Sequence, residues 1–193
     1  MIYLISKIIF STFFYIMFKW EVKGKENIPK KGPVILCANH ISWWDPPIIA
    51  CSIQRKVHYM AKEELFHNPL ARYILTSLGA FPIRRKEADR RAIRKSLQIL
   101  KEGKVLGLFP EGTRSKTGEL LKPEAGVALI ALKSKAPIVP IAVRGPYKFF
   151  KPIKIIIGEP FYLINDDHKL NSQMLQKYSD EIMDKIQNLL DVH

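Results

Sequence analysis

A histidine and an aspartate, His40 and Asp45, stand in the stretch NHISWWD at positions 39–45, directly ahead of Pro46 and Pro47. A regular helix rotates each residue by about 100°, so positions i and i+5 face different sides and the two cannot form a plain helical couple. They meet only if the chain turns between them. The carboxylate can then accept a hydrogen bond from one imidazole nitrogen, fixing the tautomer and leaving the other nitrogen as a general base. The plainer alternative is an aspartate that merely caps a helix, beside an ordinary strand-end histidine.

The flanking residues supply such a turn. Pro33-Val34-Ile35-Leu36-Cys37-Ala38 has the length and apolar character of a buried strand that ends where polar Asn39 and His40 begin. Asp45 reads as a helix N-cap, with Pro46 at the first helical position, where a missing N–H is harmless. Along the rest of the chain, strand-like runs fall at 56–60, 80–84, 105–109, 138–143 and 153–158. Helical patterns fall at 46–54, 69–78, 87–102, 124–134 and 172–191. Several of the strands are too uniformly apolar for a sheet with one wet face, so the order predicts an α/β layered domain with a mixed, mostly buried sheet. The last helix carries Leu175, Tyr178, Ile182, Ile186 and Leu189 on one stripe, as a core-facing helix does. Its 193 residues suit one domain over 21–193 with an N-terminal appendage over 1–20.

Charge and composition narrow the partners. Lys and Arg number 31 against 18 Asp and Glu, a formal net charge of +13, so the surface attracts polyanions. A single-strand nucleic-acid binder would interleave aromatics with basic residues. Here many aromatics crowd instead into MIYLISKIIFSTFFYIMFKW, whose charges are Lys7 and Lys19, a composition suited to a bilayer and not to nucleic acid. As a helix, residues 1–18 would be about 27 Å long, borderline for a full span. The expectation is a helix lying in, or dipping partway into, one leaflet, with Lys7 reaching the headgroups and Trp20 at the interface. On that view its removal leaves the site residues intact. The alternative is a buried core helix, disfavoured because so little polar face is left to meet water. Lys19, Lys23, Lys25, Lys30 and Lys31 follow it and place the main domain on the cytoplasmic face of the membrane. On the predicted helix within RRKEADRRAIRKSLQILKEGK, Ile93, Leu97 and Leu100 form an apolar stripe opposite Arg90, Arg91, Arg94 and Lys95. That basic face is either simply solvated or attracted to anionic headgroups at about 1 kcal/mol per residue. The two cysteines, Cys37 and Cys51, and five unpaired histidines match no metal-ligand spacing, so no metal or resident cofactor is expected.

Three further patterns share strand ends. FPEGTRS at 109–115 follows the apolar run VLGLF; its glycine, hydroxyls and arginine can hold a phosphate, with Glu111 orienting Arg114 or accepting from substrate hydroxyls. The plain alternative is a surface turn with a Glu/Arg pair. GAFPIRR at 79–85 ends another run in two arginines. VPIAV at 139–143 places Pro140 inside a strand, which predicts an edge strand or a bulge beside a pocket.

In this order NHISWWD, GAFPIRR, FPEGTRS and VPIAV resemble the four blocks of the 1-acylglycerol-3-phosphate acyltransferase family, of the glycerolipid acyltransferase superfamily, over about residues 33–145. The resemblance implies a glycerol-3-phosphate acyltransferase-like fold and matches His40 and Asp45 to the family's catalytic pair. It matches Arg85 to the arginine closing the second block, and Glu111, Gly112, Thr113 and Arg114 to its EGTR. Lys122 matches a downstream lysine, although here it is followed by Pro123-Glu124-Ala125-Gly126, and Arg84 stands where many members carry Asp. The implied reaction moves an acyl group from an acyl-CoA or acyl carrier protein thioester, a co-substrate, to lysophosphatidic acid. His40 would act as base, and Arg85 and Arg114 would hold the phosphate. There is no GxSxG elbow to support Ser42, so direct transfer is expected over an acyl-enzyme. Trp43 and Trp44 are candidates for the border of an acyl channel, with core packing the alternative for at least one. Other acceptors, a thioester or lipid hydrolase, and a non-enzymatic membrane adaptor are the competing readings.

Overall fold

Strand β2 (Val34–Ala38) is buried at every position, and its side chains divide between two cores. Because successive residues point to opposite faces, Val34, Leu36 and Ala38 enter one apolar cluster, while Ile35 and Cys37 enter the other. A sheet covered on both faces follows. In the computed structural model, which describes residues 2–84, 89–164 and 170–192, this sheet has seven strands among the described residues. They are β1 (Lys19–Lys23), β2, β3 (Val57–Lys62), β4 (Phe81–Ile83), β5 (Val105–Leu108), β6 (Ile138–Arg144) and β7 (Pro152–Ile157), in the order β1-β7-β6-β2-β5-β3-β4. Only β6 and β7 pair antiparallel, so the sheet is mixed.

Helices cover both faces. α1 (Ile2–Met17) and α2 (Asp45–Ser52) lie over the first cluster, and α1 also adjoins α3 (Pro69–Leu78). α4 (Arg90–Lys101), α5 (Gly126–Ser134) and α6 (Ser172–Val192) cover the second. α4 starts at an N-cap, Asp89, whose carboxylate accepts from the N–H groups of Arg91 and Ala92. Ile182 and Ile186 of the expected α6 stripe are buried, together with Ser179 and Met183, while Leu175, Tyr178 and Leu189 are half-buried. The start expected for α4 at residue 87 lies outside the described residues.

Strand β2 sits where the order reverses: β5, β3 and β4 extend to one side of it, β6 and the rest to the other. The carboxyl ends of β2, β5 and β6 share one rim, since Cys37 pairs with Leu108 and Ala38 with Ile141. Such a switch point opens a crevice at the strands' carboxyl ends. It is here that Asn39 and His40, Phe109 to Ser115, and the residues after Arg144 emerge.

Three expectations change. Lys19–Lys23, read above only as a basic flank, is an edge strand parallel to β7; its lysines face water while Trp20 and Val22 pack on the core. Pro140 is not on an edge strand, because β6 runs between β7 and β2. The bulge does exist: between the pairs Ala142·Ile156 and Ile138·Phe161, β6 advances four residues and its partner five. The slip falls where Pro140 has no N–H to offer, and Gly158 donates to its carbonyl at 2.9 Å. Finally, α1 is packed onto the domain. Phe14 and Phe18 belong to the core, and Lys7 points inward, its ammonium donating to the Ile53 carbonyl beyond the last turn of α2. That carbonyl has no helical partner, which explains the pull.

Candidate active site

The turn after β2 is held by its own side chains. Asn39 extends the β2–β6 ladder by one rung through its amide: Nδ2 donates to the Val143 carbonyl at 3.0 Å, and Oδ1 accepts from Val143 N–H at 2.7 Å. His40 is pinned on the other side, where its N–H donates to Glu111 Oε1 at 2.8 Å and its carbonyl accepts from Ser115 N–H at 2.8 Å. With the backbone fixed between two strand ends, the imidazole lies flat on Phe109, centroids 4.1 Å apart and planes 20° from parallel.

Asp45 turns back to meet it. The residue is the first of α2 and not its cap, which is Trp44, so the carboxylate is free to reach over the loop. Oδ2 lies 2.7 Å from His40 Nδ1 and accepts from the N–H groups of Ile41 and Ser42, each at 2.7 Å. Oδ1 accepts from the Tyr147 hydroxyl at 2.5 Å. Asp45 is 0% exposed and His40 8%, so the pair is shielded while an edge of the ring still reaches solvent. Nδ1 carries the proton toward the carboxylate, which leaves Nε2 with the lone pair.

The loop after β5 closes the site from the other side. Gly112 adopts φ +64° at the turn, where its N–H donates to the Phe109 carbonyl. Glu111 is buried, and its two oxygens accept from the backbone of His40 and of Leu121 (3.0 Å), tying together the two loops that carry the family-like blocks. Burial pushes its carboxyl above the usual range, against the pull of those two N–H groups. The carboxylate therefore serves the backbone, and Arg114 finds another neighbour: its guanidinium lies 3.8 Å from the centre of the exposed Trp43 ring. Thr113 and Lys122 are exposed, Lys122 directly after Leu121, whose N–H meets Glu111. Arg85 lies outside the described residues. Ser42 Oγ accepts from Trp44 N–H within the turn.

Four residues of the site escaped the sequence reading. Asn39 and Phe109 stand inside the quoted blocks but carried no assigned role. Tyr147 reaches Asp45 across 102 residues of chain. Tyr59 stacks on Phe109 (5.9 Å, 14°), and Gly107 makes room for it, because a Cβ there would sit 2.2 Å from the Tyr59 ring. Trp44 packs on Phe10, Phe13 and Phe14 of α1. No group of three or more His, Cys, Asp or Glu among the described residues is placed to hold a metal ion.

A family model described as Acyltransferase matches residues 19–144, from β1 to the end of β6. The chain belongs to the acyltransferase family. This acyltransferase is 34% identical over 175 residues to the 1-acyl-sn-glycerol-3-phosphate acyltransferase of Bacillus subtilis, covering 88% of its own length and 87% of that relative. It is 29% identical over 188 residues to the protein of the same name from Streptococcus pneumoniae, covering 90% of itself and 69% of the relative. Its fold matches the crystal structure of the 1-acyl-sn-glycerophosphate (LPA) acyltransferase PlsC from Thermotoga maritima, with a TM-score of 0.75 and 28% identity, over 100% of this chain and 80% of that one. The family-matched stretch of the acyltransferase stops at Arg144, so α1 and Tyr147 both lie outside it.

Proposed function

We propose that this acyltransferase transfers a fatty acyl group from an acyl thioester to the sn-2 hydroxyl of lysophosphatidic acid, forming phosphatidic acid at a membrane surface. The observation that carries this reading is the buried His40–Asp45 pair, with an arginine on the adjoining loop and relatives that bear the corresponding name. His40 Nε2 takes the acceptor's hydroxyl proton as that oxygen attacks the thioester carbonyl. The tetrahedral intermediate collapses with loss of the thiol, which receives the proton back from the imidazolium. Arg114 binds the acceptor phosphate, with Arg85 and Lys122 as further cations, so that the glycerol hydroxyl and not water meets the base.

The membrane part of the proposal rests on exposed apolar residues. Leu4, Ile5, Ile8 and Ile9 on α1, and Leu70, Tyr73 and Ile74 on neighbouring α3, present their side chains to the outside. No helix among the described residues is long and apolar enough to cross a membrane. Attachment through one leaflet by these outward residues, with the site on the cytoplasmic side as the lysines after α1 suggest, is the proposed arrangement.

An acceptor panel offered acyl-CoA and acyl-acyl carrier protein, with products read by mass spectrometry, tests the reaction. Phosphatidic acid should form in proportion to free thiol. Arg114→Ala should lower kcat/KM for lysophosphatidic acid by roughly 10- to 150-fold, the worth of one charge-assisted contact at about 1.5–3 kcal/mol. Free fatty acid as the main product, or equal use of a dephosphorylated acceptor, contradicts the proposal.

A further inference from the structure

Asp45 is served unequally. Three donors converge on Oδ2, and one of them is the imidazole; among the described residues Oδ1 has a single partner, the Tyr147 hydroxyl. Tyr147 comes from the segment between β6 and β7, and its ring is held edge-on by Phe18 at 6.0 Å. The same segment is tied down where Phe150 N–H donates to the Met17 carbonyl at the end of α1. Burial, followed by the neighbouring carboxylate, pushes the Tyr147 hydroxyl far above its ordinary range, so it remains a donor.

We propose that Tyr147 is a positioning residue for the proposed reaction, donating to Asp45 Oδ1 so that the carboxylate, whose Oδ2 the loop N–H groups already hold on His40 Nδ1, draws the ring proton less strongly. This rests on His40 being the base. A phenol donating to one oxygen withdraws negative charge from the whole carboxylate, and a carboxylate held less negative stabilises the imidazolium less. The imidazole then accepts its proton in the transition state and gives it back without lingering as the cation. Among the described residues the titratable groups facing His40 and Asp45 are Glu111 from the loop after β5, Tyr147 from the segment after β6, and Tyr59 beside Phe109.

Tyr147→Phe removes only the oxygen and keeps the ring that Phe18 covers, and a thermal melt checks that the variant is folded. His40 titration is followed by imidazole NMR on the full chain, its signal assigned with His40→Ala. In Tyr147→Phe the His40 titration should move upward by about half to one pH unit, and the acidic limb of the kcat profile with it. At neutral pH kcat should fall by up to about tenfold, with KM for the acceptor within about twofold. In an Asp45→Asn background the same change should leave the His40 titration where it was. An unmoved titration in Tyr147→Phe, or an equal shift in the Asp45→Asn background, overturns the proposal whatever happens to kcat. Transfer surviving in folded His40→Ala instead overturns the base reading, and the role of Tyr147 with it, even where the NMR shift is seen.

Discussion

At the scale of residues, the chain spends its buried polar groups on one another. Asp45 gathers four donors and Glu111 two backbone N–H groups, so both carboxylates act chiefly by holding what lies next to them. Under the proposed mechanism, His40→Ala should lower kcat by about two to four orders of magnitude, with folding and acceptor binding retained, as initial rates and a thermal melt will report. Asp45→Asn should be severe too, since an amide presents the wrong tautomer partner. Glu111 supports a prediction about pH. Its folded-state pKa is raised by burial, so its contribution to stability is greatest below the unfolded pKa and declines as pH rises through the raised folded value. Glu111→Gln removes that titration but loses one of two backbone bonds. The parent's advantage over it in unfolding free energy should therefore shrink as pH climbs above the ordinary carboxylate range, a trend that urea melts at several pH values measure. The His40–Asp45 pairing is legible in the sequence because five positions and a double proline leave a turn as the natural closure. The bonds from Asn39 to Val143 and from His40 to Glu111 span 104 and 71 residues, and no local pattern announces them.

At the scale of elements, the apolar runs that become β2, β5 and β6 are legible because a strand buried on both faces has little use for polar residues. β1 is not, because an edge strand only five residues long keeps three charges outward and resembles a basic linker. α1 is legible as a helix, yet its composition favours a lipid surface over a core, and nothing local in it marks the Phe14 side as the one that packs on the domain. The division of the helix surface sets its energetics. Phe14 is fully buried, so Phe14→Ala should destabilise by about 3–5 kcal/mol, as a core phenylalanine does. Deleting residues 1–18 should do more than weaken attachment: without Phe14 and Phe18 the domain should lose its cooperative thermal transition or melt well below the full chain. Calorimetry in detergent decides this, and a truncated protein that melts with the parent would show α1 to be dispensable packing.

At the scale of the whole molecule, the proposed membrane attachment would divide between apolar and basic surfaces. Under that proposal the outward residues of α1 and α3 would supply salt-insensitive contact, and a net charge of +13 would supply attraction that salt weakens. Replacing Leu4, Ile5, Ile8 and Ile9 together with serine leaves the buried face of α1 untouched. It should turn salt-resistant binding to anionic vesicles into binding lost in high salt, as flotation assays would reveal. Unchanged binding would remove α1 from the contact surface. The pairing of β1 with β7 has one more consequence, which concerns the order of events during synthesis. Lys19 leaves the ribosome long before Pro152, its partner roughly 130 residues further on, which takes about 7 to 27 s to arrive at 5–20 residues per second. Throughout that interval Phe14, Phe18 and Trp20 have no Ile153 or Ile155 to pack on, and the most apolar stretch of the chain is without its own sheet. A bilayer can receive it at once; the domain can do so only when nearly all of it has been made.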